Sequence, residues 1–238
     1  MFSALTSSPT LRLPFFFALS ITSNLALSRL LTTSKTTTPP PSLRSTLAAG
    51  TSQNASELIQ LVTADKNEPV GSTNRSEMRL NNLPHRATYC FLTRPSDGKL
   101  FVQKRSSLKD YCPSHLDPSP GGVVGFGETY EENARREMEE EMGLSPADVA
   151  LKRLFTFNYT DSTVCCWGDA WEGSWEGEPE DLVVQESEVE SVRMMTVAEV
   201  IAAGKGEGKE KVPRDSLRAV QLYRQFKEDE EKGKGGGR

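Results

Sequence analysis

The stretch GVVGFGETYEENARREMEEEMGL, running from Gly122 to Leu144, decides how the rest of the chain is read. Within its 23 residues, Gly122, Glu128, Arg136, Glu137, Met138, Glu140, Glu141, Gly143 and Leu144 stand at the spacing G-x5-E-x7-R-E-U-x-E-E-x-G-U, where U is aliphatic or Met. Thr129 followed by Glu132 is a capping-box pair, which predicts a helix from about Tyr130. Gly143 suits its C-terminal stop, and Pro146 cannot continue it. Glu137, Glu140 and Glu141 then fall at i, i+3 and i+4 on one face, beside an apolar strip of Ala134, Met138 and Met142 that can pack on a sheet.

Carboxylates held this close repel and raise each other's pKa unless a cation compensates. Hard divalent ions such as Mg2+ take oxygen ligands and bridge carboxylates to phosphates. Glu128 adds an acid from the loop before the helix, and Arg136 is placed to pair with a carboxylate and fix its direction. A run of glutamates alone is usually a solvated helix face. A glycine at each end and correct residues at every specified position between them point instead to a metal-binding loop and helix.

Outward from this stretch the chain reads as α+β. Leu58 to Val62 suggests a first strand, closed by a turn over Asp65 to Glu68. Ala87 to Thr93 is an apolar strand, Pro95-Ser96-Asp97-Gly98 a turn, and Leu100 to Lys104 the returning strand of a hairpin. Downstream, Leu154 to Tyr159 and Val164 to Trp171 form a second antiparallel pair, and Glu190 to Met195 one more strand. Thr196 to Ala203 reads as a short helix and Asp215 to Phe226 as a longer one with Leu217, Val220 and Tyr223 inward. The Glu/Lys-rich, then Gly-rich segment from Lys227 to Arg238 reads as a solvated, disordered tail. Trp167 and Trp171 share a strand face and read as core before base-stacking platform.

The nine-residue pattern resembles the Nudix box without a mismatch, and the order of elements is similar to the Nudix fold, a mixed sheet sandwiched between helices, over roughly Glu57 to Phe226. Leu83-Pro84-His85-Arg86-Ala87-Thr88, Gln103-Lys104-Arg105, Gly121-Gly122-Val123-Val124 and Asp215-Ser216-Leu217 narrow the resemblance to the bacterial YfcD type, itself similar to isopentenyl-diphosphate isomerase. Where the isomerases carry a nucleophile-like cysteine and a metal-binding histidine, this chain has Gly121 and Val123. An upstream isomerase histidine matches His85, but its partner falls on Met78, and two later glutamates fall in Thr163 to Cys166. The isomerase site is missing, while the R-E-U-x-E-E half of the box is intact.

The resemblance implies Mg2+-dependent hydrolysis, with Mn2+ as substitute, of a diphosphate linkage in a nucleoside diphosphate derivative or similar organic pyrophosphate. It implies metal ligation by Gly122, Glu128, Glu137, Glu140 and Glu141, with Glu140, Glu141 or Glu188 as catalytic acids or base. Arg86, Lys104 and Arg105 are candidate phosphate contacts, and Arg136 and Gly143 support the box. Two alternatives stay open: an isomerase of prenyl diphosphates, and a binding module that keeps the fold without turnover. The loops Ser106 to Pro118 and Gly173 to Glu186 are where substrate choice is expected to lie.

Composition bounds the partners. The chain has 238 residues, net charge −5 and 36% hydrophobic residues, enough for one ordinary domain with extensions. The acidic balance leaves no footprint for a nucleic-acid partner, so the partner expected is a small-molecule diphosphate; no membrane partner is expected, and a homodimer stays open. Cys90, Cys112, Cys165 and Cys166 show no zinc spacing and read as reduced, mostly buried thiols. The first 50 residues hold no Asp or Glu and only Arg12, Arg29, Lys35 and Arg44 as basic residues. Setting those four aside leaves 24 basic against 33 acidic residues, a net charge of −9. Residues 1–55 therefore read as a cleaved targeting segment, 56–226 as the catalytic domain and 227–238 as the tail, with the plastid as first destination and the mitochondrion as second. The apolar run Leu13 to Ile21 is too short to span a bilayer.

Overall fold

In the computed structural model, which describes residues 52–235, the strand β3 (His85–Thr93) is the axis of the molecule. Successive side chains on a strand point to opposite faces. Accordingly Ala87, Tyr89 and Phe91 join one apolar cluster and Cys90 and Leu92 the other. Before β3 come β1 (Leu58–Val62), β2 (Pro69–Asn74) and a short helix α1 (Arg75–Leu80). After it come β4 (Leu100–Arg105), β5 (Leu116–Asp117), α2 (Tyr130–Met142), β6 (Lys152–Thr160), β7 (Cys165–Ser174) and, past a 3-10 turn at Pro179–Asp181, β8 (Val189–Met195). Helices α3 (Val197–Gly204) and α4 (Arg214–Gly235) close the chain.

All eight strands form one mixed sheet. β3 runs parallel to β7 over its whole length, from His85 opposite Cys166 to Thr93 opposite Ser174, and β7 pairs antiparallel with β6. β4 pairs antiparallel with β8 and β5. The expected hairpin is a corner only. β3 and β4 pair at Thr93 and Leu100 and then part, because β4 turns to β8 while another segment takes the free edge of β3. That segment is the box loop: Thr88 N–H donates to the Gly122 carbonyl at 2.9 Å, Cys90 N–H to that of Pro120 at 2.9 Å, and Val124 N–H to that of Arg86 at 2.9 Å. Gln60 N–H of β1 also donates to the Val124 carbonyl at 3.2 Å, so the loop is threaded between β1 and β3.

The helices cover both faces, as expected for the α+β sandwich. Ala134, Met138 and Met142 of α2 are fully buried with Cys90, Leu92, Phe101 and Trp171. Each of the two methionines is worth about 1.5–3 kcal/mol of burial. On the other face Val200, Ile201, Val220 and Tyr223 of α3 and α4 pack on Phe91 and Val102, with Tyr223 stacked on Phe91 at 4.3 Å between ring centroids. Trp171 therefore sits in the core, and half-buried Trp167 donates its Nε1–H to the Ala64 carbonyl at 3.1 Å. The cysteines are all free; Cys90, Cys165 and Cys166 are buried and Cys112 half-buried.

Three expectations need correction. β2 and α1 lie where no element was read, between the Asp65 to Glu68 turn and β3. The chain from Lys227 is no disordered tail as far as it is described, since α4 continues to Gly235. Tyr223 and Lys227 both bond Glu172 on β7, at 2.5 and 3.0 Å, and Lys152 bonds Glu230 at 3.2 Å, so the helix extension is tied to the sheet. Finally, the boundary at residue 56 cuts through bonded structure: Ser52 N–H donates to the Leu108 carbonyl at 2.9 Å and Ser76 N–H to that of Ala55 at 3.1 Å. The targeting segment through residue 51 and the last three residues lie outside the described residues. Among the described residues no helix is long and apolar enough to cross a membrane.

Candidate active site

The box loop passes close to β3 and α2 at two glycines, Gly121 and Gly122. A Cβ on Gly122 would stand 2.1 Å from Oε1 of Glu137, and one on Gly121 would stand 2.2 Å from the Thr88 carbonyl oxygen. The backbone can thus lie directly between β3 and the first turns of α2. That helix begins at a complete capping box, Thr129 with Glu132, and stops at Gly143 with φ 69°. A side chain at Gly143 would also meet the Val183 carbonyl at 2.6 Å, so both the left-handed backbone and the close approach require glycine.

Arg136 gathers three of the box acids. Its guanidinium reaches Glu128 Oε1 at 3.0 Å, Glu137 Oε1 at 3.1 Å and Glu140 Oε2 at 2.8 Å. Glu128 also accepts from Gly125 N–H at 2.8 Å and Asn133 at 2.9 Å. Burial opposes its charge, but these bonds, Arg136 foremost, hold it below the usual carboxylate range. Glu137 lies buried against Gly122, and burial followed by the charge of Glu141 pushes its carboxyl up to about 8. Glu140 is half exposed.

Glu141 leaves this group. It is wholly buried and accepts from Lys109 Nζ at 2.8 Å, Gln103 Nε2 at 2.9 Å and Gly121 N–H at 3.0 Å. The helix therefore splits its three acids between two cations, Arg136 and Lys109. Lys109 also bonds Glu188 Oε2, and the same oxygen accepts from Gln53 Nε2 at 3.1 Å. Burial again opposes the charge of Glu188, and Lys109 outweighs it, leaving that carboxyl below its usual range. Among the described residues no three His, Cys, Asp or Glu side chains converge on one point.

Glu137, Glu140, Arg136, Gly122 and Glu188 line a cavity of about 200 Å³. A basic wall also lines it: Arg75 and Arg79 from α1, Arg105 from β4 and Lys109 from the β4–β5 loop, with the acids Glu57, Asp117 and Asp215 among them. Asp110 anchors that wall, taking Arg75 Nε at 2.7 Å and Nη2 at 3.3 Å. Arg105 is held by Asp117 at 3.0 Å and donates to the Tyr111 carbonyl at 2.9 Å. At the base, the hydroxyls of Tyr89 and Tyr111 donate to Asp215 at 2.8 and 2.9 Å. His85 lines the same cavity with Nδ1 2.8 Å from the Leu83 carbonyl; burial, then the charge of Arg79, pushes it down to about 3, so it is neutral at physiological pH.

Of the three cations expected to touch substrate, only Arg105 faces this cavity. Lys104 and Arg105 are neighbours on a strand and must point to opposite faces; Lys104 pairs outside with Glu190 at 2.7 Å. Arg86, next to His85, likewise points away, bonding Asn67 at 2.8 Å and lying over the Tyr130 ring. The loop Ser106 to Pro118 does supply the cavity, through Lys109, Tyr111 and Asp117, whereas Gly173 to Glu186 does not reach it. Arg75, Arg79, Lys109 and Gln53 were not read as site residues. The only local signal was the i, i+4 spacing of Arg75 and Arg79, which matters once a helix is assigned there.

A model of the NUDIX domain matches residues 83–215. The chain is 35% identical over 169 residues to the uncharacterized Nudix hydrolase YfcD of Salmonella typhi, covering 71% of this chain and 85% of that protein. An uncharacterized Nudix hydrolase of Yersinia pestis is 33% identical over 186 residues, 76% of this chain and 95% of that one. Among solved structures, DR0079 from Deinococcus radiodurans superposes with a TM-score of 0.61 at 26% identity, over 70% of this chain and 98% of its own. The chain belongs to the Nudix family. Within it, the chain falls with the YfcD-type proteins.

Proposed function

We propose that the chain is a divalent-metal-dependent hydrolase of a diphosphate linkage in a nucleoside diphosphate derivative or similar organic pyrophosphate. One observation carries the reading: a single cavity lined by acids of α2 and by four cations, Arg75, Arg79, Arg105 and Lys109. A diphosphate is an anion that needs both, cations for its oxygens and carboxylates for the metal that accompanies it.

The donor types suit such a metal, although as they stand the acids are gathered by Arg136 and do not meet on one point. Glu128, Glu137 and Glu140 are already within reach of one cationic group, Arg136, and all offer hard oxygen ligands. The Gly122 carbonyl accepts from Thr88 N–H at 2.9 Å and keeps a second lone pair for a ligand. When bound, Mg2+ or Mn2+ would neutralise phosphate oxygens and acidify the attacking water. Arg105 and Lys109 bind and orient the diphosphate, and Arg136 holds Glu128 and Glu140 in place. Glu188 lines the cavity as an ionised carboxylate and can accept a proton from water there; Glu141, sealed behind Gly121 and Lys109, positions Lys109 instead. Phosphate or nucleotide release from a diphosphate panel should require millimolar Mg2+ or Mn2+ and vanish in EDTA; full activity in EDTA overturns the reading.

The isomerase reading meets a steric objection. A cysteine at position 121 would place its Cβ 2.2 Å from the Thr88 oxygen, so the loop has no room for that side chain. Purified protein should not exchange solvent deuterium into isopentenyl diphosphate; exchange seen by mass spectrometry, and lost in Glu140→Gln, would favour the isomerase over the hydrolase.

A further inference from the structure

Arg79 is the cation of the cavity lining that the fold pairs least, with a buried Nε–H that has no hydrogen-bond acceptor. Its side chain is 6% exposed and lines the cavity. Its Nε–H has no hydrogen-bond acceptor, and the nearest carboxylate oxygen, Asp110 Oδ2, is 3.7 Å away. That carboxylate is already taken by Arg75, whose Nε lies 2.7 Å from the same oxygen and whose Nη2 reaches the other at 3.3 Å. Arg75 also reaches a second acid, Glu57 Oε2 at 3.3 Å, whereas the long contact to Asp110 is the one ion pair of Arg79 among the described residues.

A buried cation of this kind is costly unless something pairs it. The Tyr111 ring, 4.8 Å from the Arg79 guanidinium carbon, covers one face of the group. Stacking on an aromatic ring leaves the N–H edges free, and those edges are what recognise oxyanions in a bidentate way. A second unsatisfied buried donor, the Ser52 hydroxyl, belongs to the same cavity. His85 contributes no charge to compete for the anion.

We propose that Arg79, backed by the Arg75–Asp110 pair and stacked on Tyr111, is an anion subsite of the cavity that binds a phosphoryl group of the ligand not neutralised by metal. The assignment of that phosphoryl group to a diphosphate substrate rests on the hydrolase reading; the subsite itself does not. The ligand class is accordingly one with a phosphate reaching the α1 wall while its reacting diphosphate faces α2.

The test uses full-length protein in chelator, with inorganic phosphate as the probe, so that neither metal nor turnover is needed. Arginine-labelled protein gives an Nε–H resonance for Arg79, identified by its loss in Arg79→Lys. Titration with phosphate should move that resonance, and calorimetry should show affinity about 10- to 100-fold weaker in Arg79→Gln, the range of a charged hydrogen bond. Arg79→Lys keeps charge but not the planar fork and should fall between. Arg94→Gln, removing an exposed pair with Asp97, should bind as wild type. A resonance that stays fixed, a wild type that takes up no phosphate, or an Arg79→Gln affinity equal to wild type each overturns the subsite. If Arg79→Gln fails to fold, the wild-type titration and Arg79→Lys decide it. Hydrolase activity lost in every assay, with phosphate still shifting Arg79, would retire the hydrolase reading and leave the subsite standing.

Discussion

In the proposed hydrolase Glu137 would couple protons to metal. Its folded carboxyl is pushed up to about 8 by burial and by Glu141, against an ordinary value of 4.5, so the folded protein binds a proton the unfolded chain has lost. Its contribution to stability is full below about pH 4.5 and disappears as pH rises through about 8. A divalent cation competes with that proton, so the gain in Tm on adding Mg2+ should be larger at pH 8.5 than at pH 6. A gain independent of pH would show that Glu137 is not a ligand. His85 works with the opposite sign: its folded value of about 3 lies below 6.5, so its contribution is full above pH 6.5 and is lost as pH falls toward 3. In chelator, His85→Gln should flatten that acid limb by about 1.4 kcal/mol per pH unit in urea titrations. The acids also differ in what their loss does to the fold. Glu140→Gln, half exposed, should leave stability within about 0.5 kcal/mol while lowering turnover about 10²- to 10⁴-fold. Glu141→Gln strips Lys109 of a buried partner and should also cost about 3–5 kcal/mol in denaturant unfolding. Equal stabilities for the two variants would contradict the division between Arg136 and Lys109.

Helix α2 was legible at both ends because its caps are local chemistry: Thr129 with Glu132 at the start and Gly143 at the stop need no tertiary information. The corner after β3 was legible for the same reason, but the strands' partners were not. A turn signal fixes where the chain reverses and says nothing about the box loop taking the edge of β3. Helix α1 has six residues and no side-chain cap, too little periodicity to stand out, and the basic wall it carries went unread with it. The box loop depends on an absence of atoms. Gly122→Ala would press its Cβ against Glu137 Oε1, forcing that carboxylate or the loop to move. Turnover should fall by about 10²-fold or more, as displacing a ligand implies, while the Thr129→Ala variant should lose only about 1 kcal/mol of stability and keep its turnover. Wild-type turnover in Gly122→Ala would mean that the loop does not position Glu137.

At the scale of the whole chain, the body carries net charge −9 and the first 50 residues carry no acid at all. Import systems favour such basic, hydroxylated segments, and we propose delivery to an organelle, the plastid before the mitochondrion, with removal of the leader. The structure narrows where removal is tolerated. Gln53 accepts from Asp110 N–H at 2.9 Å and donates to Glu188 at 3.1 Å, so this side chain joins the anchor of the basic wall to the proposed base. Cleavage is therefore expected before Ser52, upstream of the residue-56 boundary. A protein beginning at Ser52 should match the full chain in turnover and Tm, whereas one beginning at Ser56 loses the Gln53 clamp. It should melt about 4–8 °C lower for each kcal/mol lost if the domain behaves as a small one, and turn over several-fold more slowly. Equal behaviour of the two truncations would place the boundary back at residue 56. A fluorescent fusion of residues 1–51 should enter the plastid; diffuse cytosolic signal, together with an intact Met1 on the native protein, would end the targeting proposal.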